Sequence, residues 1–316
     1  MHAAAINLRG GGAPKTTRLR GQGLIEYVLI AAVIGLVIVF AGPGVAGAIR
    51  NQFNHVSTTL NSGTSGGAGE DASGGGSTGA DSATVQAAIA KDAKDWTLGE
   101  QKAAATDIAK NGTSSVVYAK AKAAMDAGTT WSVKLTNGKT MTYRIVGINH
   151  DDLADGSGKA GLTFEAVNGA FGEQCVDSEM YDGDRWTDTE LRQRLNTGDL
   201  WSLLPNELAG RIATVTKFNY TPYGQYSMTD KLFSLNTYEV YGGSYEVDGA
   251  HASQYEYYSS KGISDSSQSG ASLGFDRWMR TTYPPDSSKI CYIRANGDSG
   301  KKLASEECSV VPAWCF

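Results

Sequence analysis

The sequence predicts an α+β chain in three parts: a long apolar helix, a flexible linker and a loop-rich α+β head. Three observations predict it. Residues 24–47 are apolar or small, with Glu26 the only charge. Residues 61–81 read NSGTSGGAGEDASGGGSTGAD, the composition of a flexible coil. From Trp131 onward the apolar period changes to the two-residue alternation of strands.

Residues 1–21 are basic, with Arg9, Lys15, Arg18 and Arg20 and no acid. The apolar run that follows makes roughly 36 Å of helix, against about 30 Å of bilayer hydrocarbon. Its positive flank puts the N-terminus in the cytoplasm and the remaining chain outside. Residues 22–60 read as one helix. Gly42, Pro43, Gly44 and Gly47 are places to bend it, and its small residues allow close helix–helix approach. Glu26 does not suit a plain span, because a carboxylate at that depth costs about 2–3 kcal/mol or more. A cut after Gly21 would leave Gln22 with a free amine, which on a neighbouring copy could neutralise Glu26. A secretory signal has a shorter apolar core, roughly 7–15 residues, although Ala46-Gly47-Ala48 has the form of its cut site. A simple signal anchor gives no reason for Glu26.

The leader ending in Gly21, the acid five residues into the mature chain and the tetrad Leu24-Ile25-Glu26-Tyr27 resemble the Flp (tight-adherence) type IV prepilins. The continuation Val28-Leu29-Ile30-Ala31-Ala32-Val33-Ile34 and the later Ile49-Arg50-Asn51-Gln52-Phe53-Asn54 are similar to the same family. The resemblance implies processing by a prepilin peptidase between Gly21 and Gln22, with Glu26 and Tyr27 serving assembly with other pilin subunits. It also implies a membrane-inserted precursor and a mature extracellular pilus form. Flp-type major pilins are short, so this length implies a minor or tip subunit.

The 316 residues leave room for the helix and one substantial globular domain. The net charge of −5 argues against a nucleic-acid partner. Glycine (39) and tyrosine (15) are abundant and charged residues scarce (19%), which fits an exported, turn-rich surface protein. Cys175, Cys291, Cys308 and Cys315 all fall in the exported part, an even number that predicts disulfides, with three pairings open. None of their spacings is C-x-x-C, so no metal or other cofactor is expected.

Residues 82–127 read as helical. Val85, Ile89, Ala93 and Trp96 form an apolar stripe, Asn111-Gly112 breaks the pattern, and 116–127 resumes it. The globular domain spans 128–316. Trp131, Val133 and Leu135 alternate with polar residues, Asn137-Gly138 turns the chain, and 140–148 returns as a strand. Further strands are expected at 162–167, 212–218, 232–235, 289–293 and 309–312. Short helices are expected at 187–195, with Trp186, Leu191 and Leu195 on one side, and at 200–211, with Leu203, Leu204 and Leu208. The segments IVGINHDD at 145–152, GKAGLTFE at 158–165, WTDTELRQRLN at 186–196, DKLFSL at 230–235, EVYG at 239–242, RWMR at 277–280 and VPAWCF at 311–316 resemble a domain of unknown function common in secreted proteins of host-associated bacteria. Family members tend to read Trp-Leu-Arg-Ser where this chain has Trp278-Met279-Arg280-Thr281. That domain is similar to the C-type-lectin-like and formylglycine-generating group, and the resemblance brings no established active site.

Two clusters are candidates for chemistry. His150-Asp151-Asp152, followed by Asp155-Gly156-Ser157-Gly158, carries the oxygens a calcium loop wants, but not the Asp-x-Asp-x-Asp-Gly spacing. A polar turn with Asp side chains capping backbone N–H groups is the simpler expectation. No G-x-S-x-G element accompanies the His–Asp pair, and His2, His55, His150 and His251 lack ligand spacing. The second cluster is aromatic. Tyrosines and tryptophans mostly fill a loop-rich core, with Tyr255, Tyr257, Tyr258 and Trp278 as the candidate ligand patch for a glycan or host protein. The expected function is a non-enzymatic pilin-like subunit carrying an adhesive head. The alternatives are a membrane-anchored extracellular domain, either carbohydrate-binding or enzyme-like, that does not assemble.

Overall fold

The computed structural model describes residues 82–179, 185–221, 224–243, 253–283, 286 and 288–316. The chain divides into two units, Met1–Gly74 and Gly75–Phe316, and the described residues belong to the second. The expected leader, the Gly21–Gln22 junction, the apolar run with Glu26 and Tyr27, and the linker lie outside the described residues. Among the described residues no helix is long and apolar enough to cross a membrane.

Sequence punctuation sets the helical region. Helix α1 (Ser82–Ala90) turns Val85 and Ala88 inward. The Trp96 indole then donates to Ala88 O at 2.9 Å and fixes the return of the chain. Thr97 and Glu100 close a reciprocal capping box on α2 (Leu98–Asn111), which ends at Gly112 with φ 55. Helix α3 (Tyr118–Ala127) ends at Gly128 in the left-handed conformation, a position glycine takes without strain. Its buried face is Ala121, Ala124 and Met125. The small inward residues have a purpose: a Cβ on Gly161 would lie 1.8 Å from Ala105 O of α2. Only glycine lets that helix approach so closely. The 82–127 helices therefore share one core with the strands that follow.

Strands β1 (Thr130–Lys134) and β2 (Thr140–Ile148) form the expected hairpin, registered from Thr130↔Arg144 to Lys134↔Thr140. Gly138 N donates to Leu135 O at 3.0 Å, with Gly138 at φ 84, so the turn residue sits where the pattern put it. Strand β3 (Leu162–Ala166) pairs antiparallel with β2 on one side and with the last strand, β11 (Ala313–Cys315), on the other, giving the order β1-β2-β3-β11. A second sheet contains β4 (Glu173–Gln174), β7 (Arg277–Thr282), β8 (Lys289–Ile293), β9 (Ser299–Leu303) and β10 (Cys308–Ser309), in the order β4-β10-β7-β8-β9. A separate ribbon pairs β5 (Val215–Thr221) with β6 (Gly224–Asp230).

The C-terminal strand ties these together. Bridges Ala213↔Cys315 and Phe233↔Ala313 flank it, and Trp314 stacks on Phe164 at 5.8 Å and meets Tyr143 edge-on at 5.0 Å. Five expected elements differ, the first being the strand expected at 212–218, which runs as β5 from Val215 to Thr221. Residues 232–235 make a single bridge at Phe233 rather than a strand. Of the strand expected at 309–312 only Ser309 is in a strand, at the end of β10, and residues 310–312 connect it to β11. Pro205 splits 200–211 into a 3₁₀ turn (Trp201–Leu203) and the short α5 (Asn206–Ala209). Helix α4 is Glu190–Asn196, preceded by the 3₁₀ turn Trp186–Asp188, and Trp186, Leu191 and Leu195 are fully buried as expected.

Candidate functional site: a buried ion-pair network

Charged residues placed at inward strand positions must find partners, because an unpaired buried charge is prohibitively costly. Here they do so in two clusters. In the first, Asp151 follows β2, Lys217 lies on β5, Glu239 on α6 (Thr237–Tyr241) and Arg280 on β7. All four side chains are 3% exposed or less. Lys217 Nζ contacts Asp151 Oδ1 directly and lies 2.7 Å from Glu239 Oε1. Arg280 grips Glu239 with two N–H···O bonds of 2.6 Å each. The backbone N–H of Asn236 also donates to Glu239 Oε2 in a capping box at 2.9 Å.

Asp151 is surrounded by neutral donors. Tyr255 OH lies 3.0 and 2.9 Å from its two oxygens, Thr163 Oγ1 donates at 2.6 Å, and Cys315 Sγ lies 3.4 Å away. Gly147 makes room for the tyrosine, since a Cβ there would meet Tyr255 Cδ1 at 2.7 Å. Phe233 covers the Lys217 ammonium at 4.4 Å. Burial pushes both carboxyls up, but Lys217, His150 and the Thr163 hydroxyl together outweigh it at Asp151, and Arg280 with Lys217 outweighs it at Glu239. Both are held below the usual carboxylate range. Burial pushes Lys217 down, and Asp151 and Glu239 more than reverse it. A cleft of about 20 Å³, roughly one water's room, borders Asp151, Lys217 and Glu239, with His150 and Asp152 beside them.

The second cluster centres on Glu165 of β3. Arg144 (Nη2, 3.1 Å), Arg277 (Nη2, 3.8 Å) and Tyr258 OH (2.8 and 2.6 Å) surround it. Arg144 also lies 4.0 Å from the centre of the Tyr257 ring and donates to its hydroxyl at 2.9 Å.

These contacts correct two expectations. Tyr255, Tyr257, Tyr258 and Trp278 do not form an exposed patch: they are 0, 9, 0 and 1% exposed. Their hydroxyls and indole are turned inward to Asp151, Arg144, Glu165 and Gln174 O. The four cysteines are free thiols rather than disulfides. Cys308 faces Gln174 across the β4–β10 pair, so Cys175, the next residue, points to the opposite side. Burial pushes the Cys308 thiol up to about 12 and Cys291 up to about 11, so neither supplies a thiolate.

The acidic turn splits by residue. Asp155 accepts from Ser157 N at 3.0 Å, the capping role expected, whereas Asp151 is a buried ion-pair partner. Among the described residues no group of three or more His, Cys, Asp or Glu is placed to hold a metal ion. Sequence reasoning missed Lys217, Glu239, Arg280, Glu165, Arg144 and Arg277. The available signal was a charge embedded among apolar strand residues, as in LTFEA and RWMR.

The fold and site define an α+β head organised around buried ion pairs. Residues 157–316, just over half of the chain, match the family described as Domain of unknown function (DUF6273), and the chain belongs to that family. The match begins later than the expected 128. It contains Lys217, Glu239 and Arg280, while Asp151 and the β1–β2 hairpin that completes the first sheet precede it. No curated protein and no solved structure matches the chain.

Proposed function

We propose that this chain is a pilin-like structural subunit, minor or tip, of an Flp-type type IV pilus, displaying residues 82–316 as a head for surface adhesion. The observation that carries the reading is Glu26, an acid set in an apolar run directly after a Gly21–Gln22 junction. Its natural partner is the Gln22 amine of a neighbouring subunit, in a place where a lone carboxylate is expensive. The linker at 61–81 would let helices pack with a small footprint while the head hangs outside. The head itself supports a displayed structural role, because its most chemically distinctive side chains face each other rather than solvent. A C-type-lectin-like fold for the head is part of the proposal, supported by the terminal strand closing beside β3.

The second reading is a membrane-anchored extracellular domain, carbohydrate-binding or enzyme-like. The small cleft beside His150 favours it. Immunogold labelling of filaments separates the two. The pilin reading expects the head on filaments, lost in Glu26→Ala while the chain accumulates in the membrane. Filament incorporation unchanged by Glu26→Ala would end it.

A further inference from the structure

Lys217, Asp151 and Glu239 form an arrangement whose chemistry goes beyond an ion pair. A primary amine touches a carboxylate, a second carboxylate lies 2.7 Å from the same amine, and the Phe233 and Tyr255 rings lie 4.4 and 5.3 Å from it. We propose that Lys217 and Asp151 condense to an intramolecular amide, with Glu239 carrying the protons. The closure would join β5 to the end of β2 and covalently lock the head.

The atoms balance without a co-reactant. Lys217 Nζ gives one proton to Glu239 Oε1, and the neutral amine attacks Asp151 Cγ, forming the C–N bond. Tyr255 OH and Thr163 Oγ1, already donating to the Asp151 oxygens, would stabilise the oxyanion. Glu239 then passes its proton to one Asp151 oxygen, a second amine proton follows, the C–O bond breaks and one water leaves. Glu239 ends as it began. The fixed geometry supplies what a bimolecular amide synthesis lacks, a permanent high effective concentration of the reacting groups. The bordering cleft has room for the water that departs.

Charge counting favours Asp151 over Glu239 as the acyl partner. Condensation with Asp151 removes one positive and one negative charge, and leaves Glu239 matched to Arg280 through two hydrogen bonds. Condensation with Glu239 would strip Arg280 of its partner and leave Asp151 buried among neutral donors. Glu239 Oε1, 2.7 Å from Lys217 Nζ, is the oxygen placed to accept the first proton. Glu165 is flanked by guanidiniums, which keep their protons and are not acylated, and the amine beside Glu100, Lys91, is exposed to water rather than enclosed.

Peptide mapping by mass spectrometry of the full, exported chain tests this. The proposal expects trypsin to leave Lys217 uncut and to yield a branched peptide of 145–159 joined to 212–231, one water lighter than the two together. Asp151→Asn should give the same link with loss of ammonia instead of water. Lys217→Met should release 145–159 unlinked. Glu239→Gln should leave the link largely unformed. Normal cleavage after Lys217 in the wild-type chain, or a link to 232–261 in place of 145–159, would overturn the proposal. The wild-type map decides this even if every variant misfolds.

Discussion

The two buried charge clusters each centre on a carboxylate met by a tyrosine hydroxyl, and they differ in the cation that faces it. Around Glu165 the cations are guanidiniums, from Arg144 and Arg277. Around Asp151 the cation is the Lys217 ammonium, with Arg280 one step removed on Glu239. Both clusters place a tyrosine hydroxyl on the central carboxylate, Tyr258 in one and Tyr255 in the other. A guanidinium keeps its charge and forks across two oxygens, so the Glu165 cluster can only hold. An ammonium is a point donor that bears a nucleophilic nitrogen once a proton is handed on, and Glu239 lies 2.7 Å away to take it, so on the proposed route the Asp151 cluster can hold and also react. Equal burial therefore does not mean equal chemistry.

Several substitutions would break or sharpen that contrast. The largest effect is expected from Arg280→Met, which leaves Glu239 buried with Lys217 alone and should cost about 3–5 kcal/mol in urea unfolding. Arg144→Met should cost less, about 2 kcal/mol, since Arg277 and Tyr258 remain on Glu165. A larger loss for Arg144→Met than for Arg280→Met would reverse the assigned ranking.

Acid titration gives the next contrast. Asp151 and Glu239 are held low in the folded head, so their contribution is complete above the unfolded carboxylate range, about 4. It is lost as pH falls below that range, because the unfolded chain then takes up protons that the folded one resists. Asp230 has the opposite sign: burial raises it despite Arg192 at 2.8 Å, so its ionisation works against the fold at neutral pH. The urea midpoint of the wild-type head should drop below pH 4, and Asp230→Asn should be neutral or slightly stabilising at pH 7. If Asp151 is tied up as an amide, it drops out of this titration and the acid slope is shallower. The smallest effect belongs to the exposed pair Lys122–Asp126, 2.7 Å apart, where Lys122→Ala should change stability by less than about 0.5 kcal/mol.

What could be read from the chain alone followed local rules. The hairpin at Asn137-Gly138, the break at Gly112 and the inward Trp186, Leu191 and Leu195 are each specified by neighbours a few residues apart. The buried clusters are not. Lys217 meets Asp151 across 66 residues and Arg144 meets Tyr257 across 113, pairings that depend on how sheets and helices close. Strand β7 was missed as an element because its arginines look like surface residues, yet Arg277 and Arg280 are among the most buried side chains. The tyrosines misled for the related reason that a polar tip says nothing about which way it points. Tyr255 and Tyr258 use theirs on carboxylates inside the head.

The functional account rests on what happens at residues 21 and 22, and the mature N-terminus measures that directly. N-terminal sequencing of the exported chain should begin at Gln22, with Glu26 the fifth residue. A chain that still starts at Met1, or one cut near Ala48, would contradict the pilin reading and leave a tethered DUF6273 head.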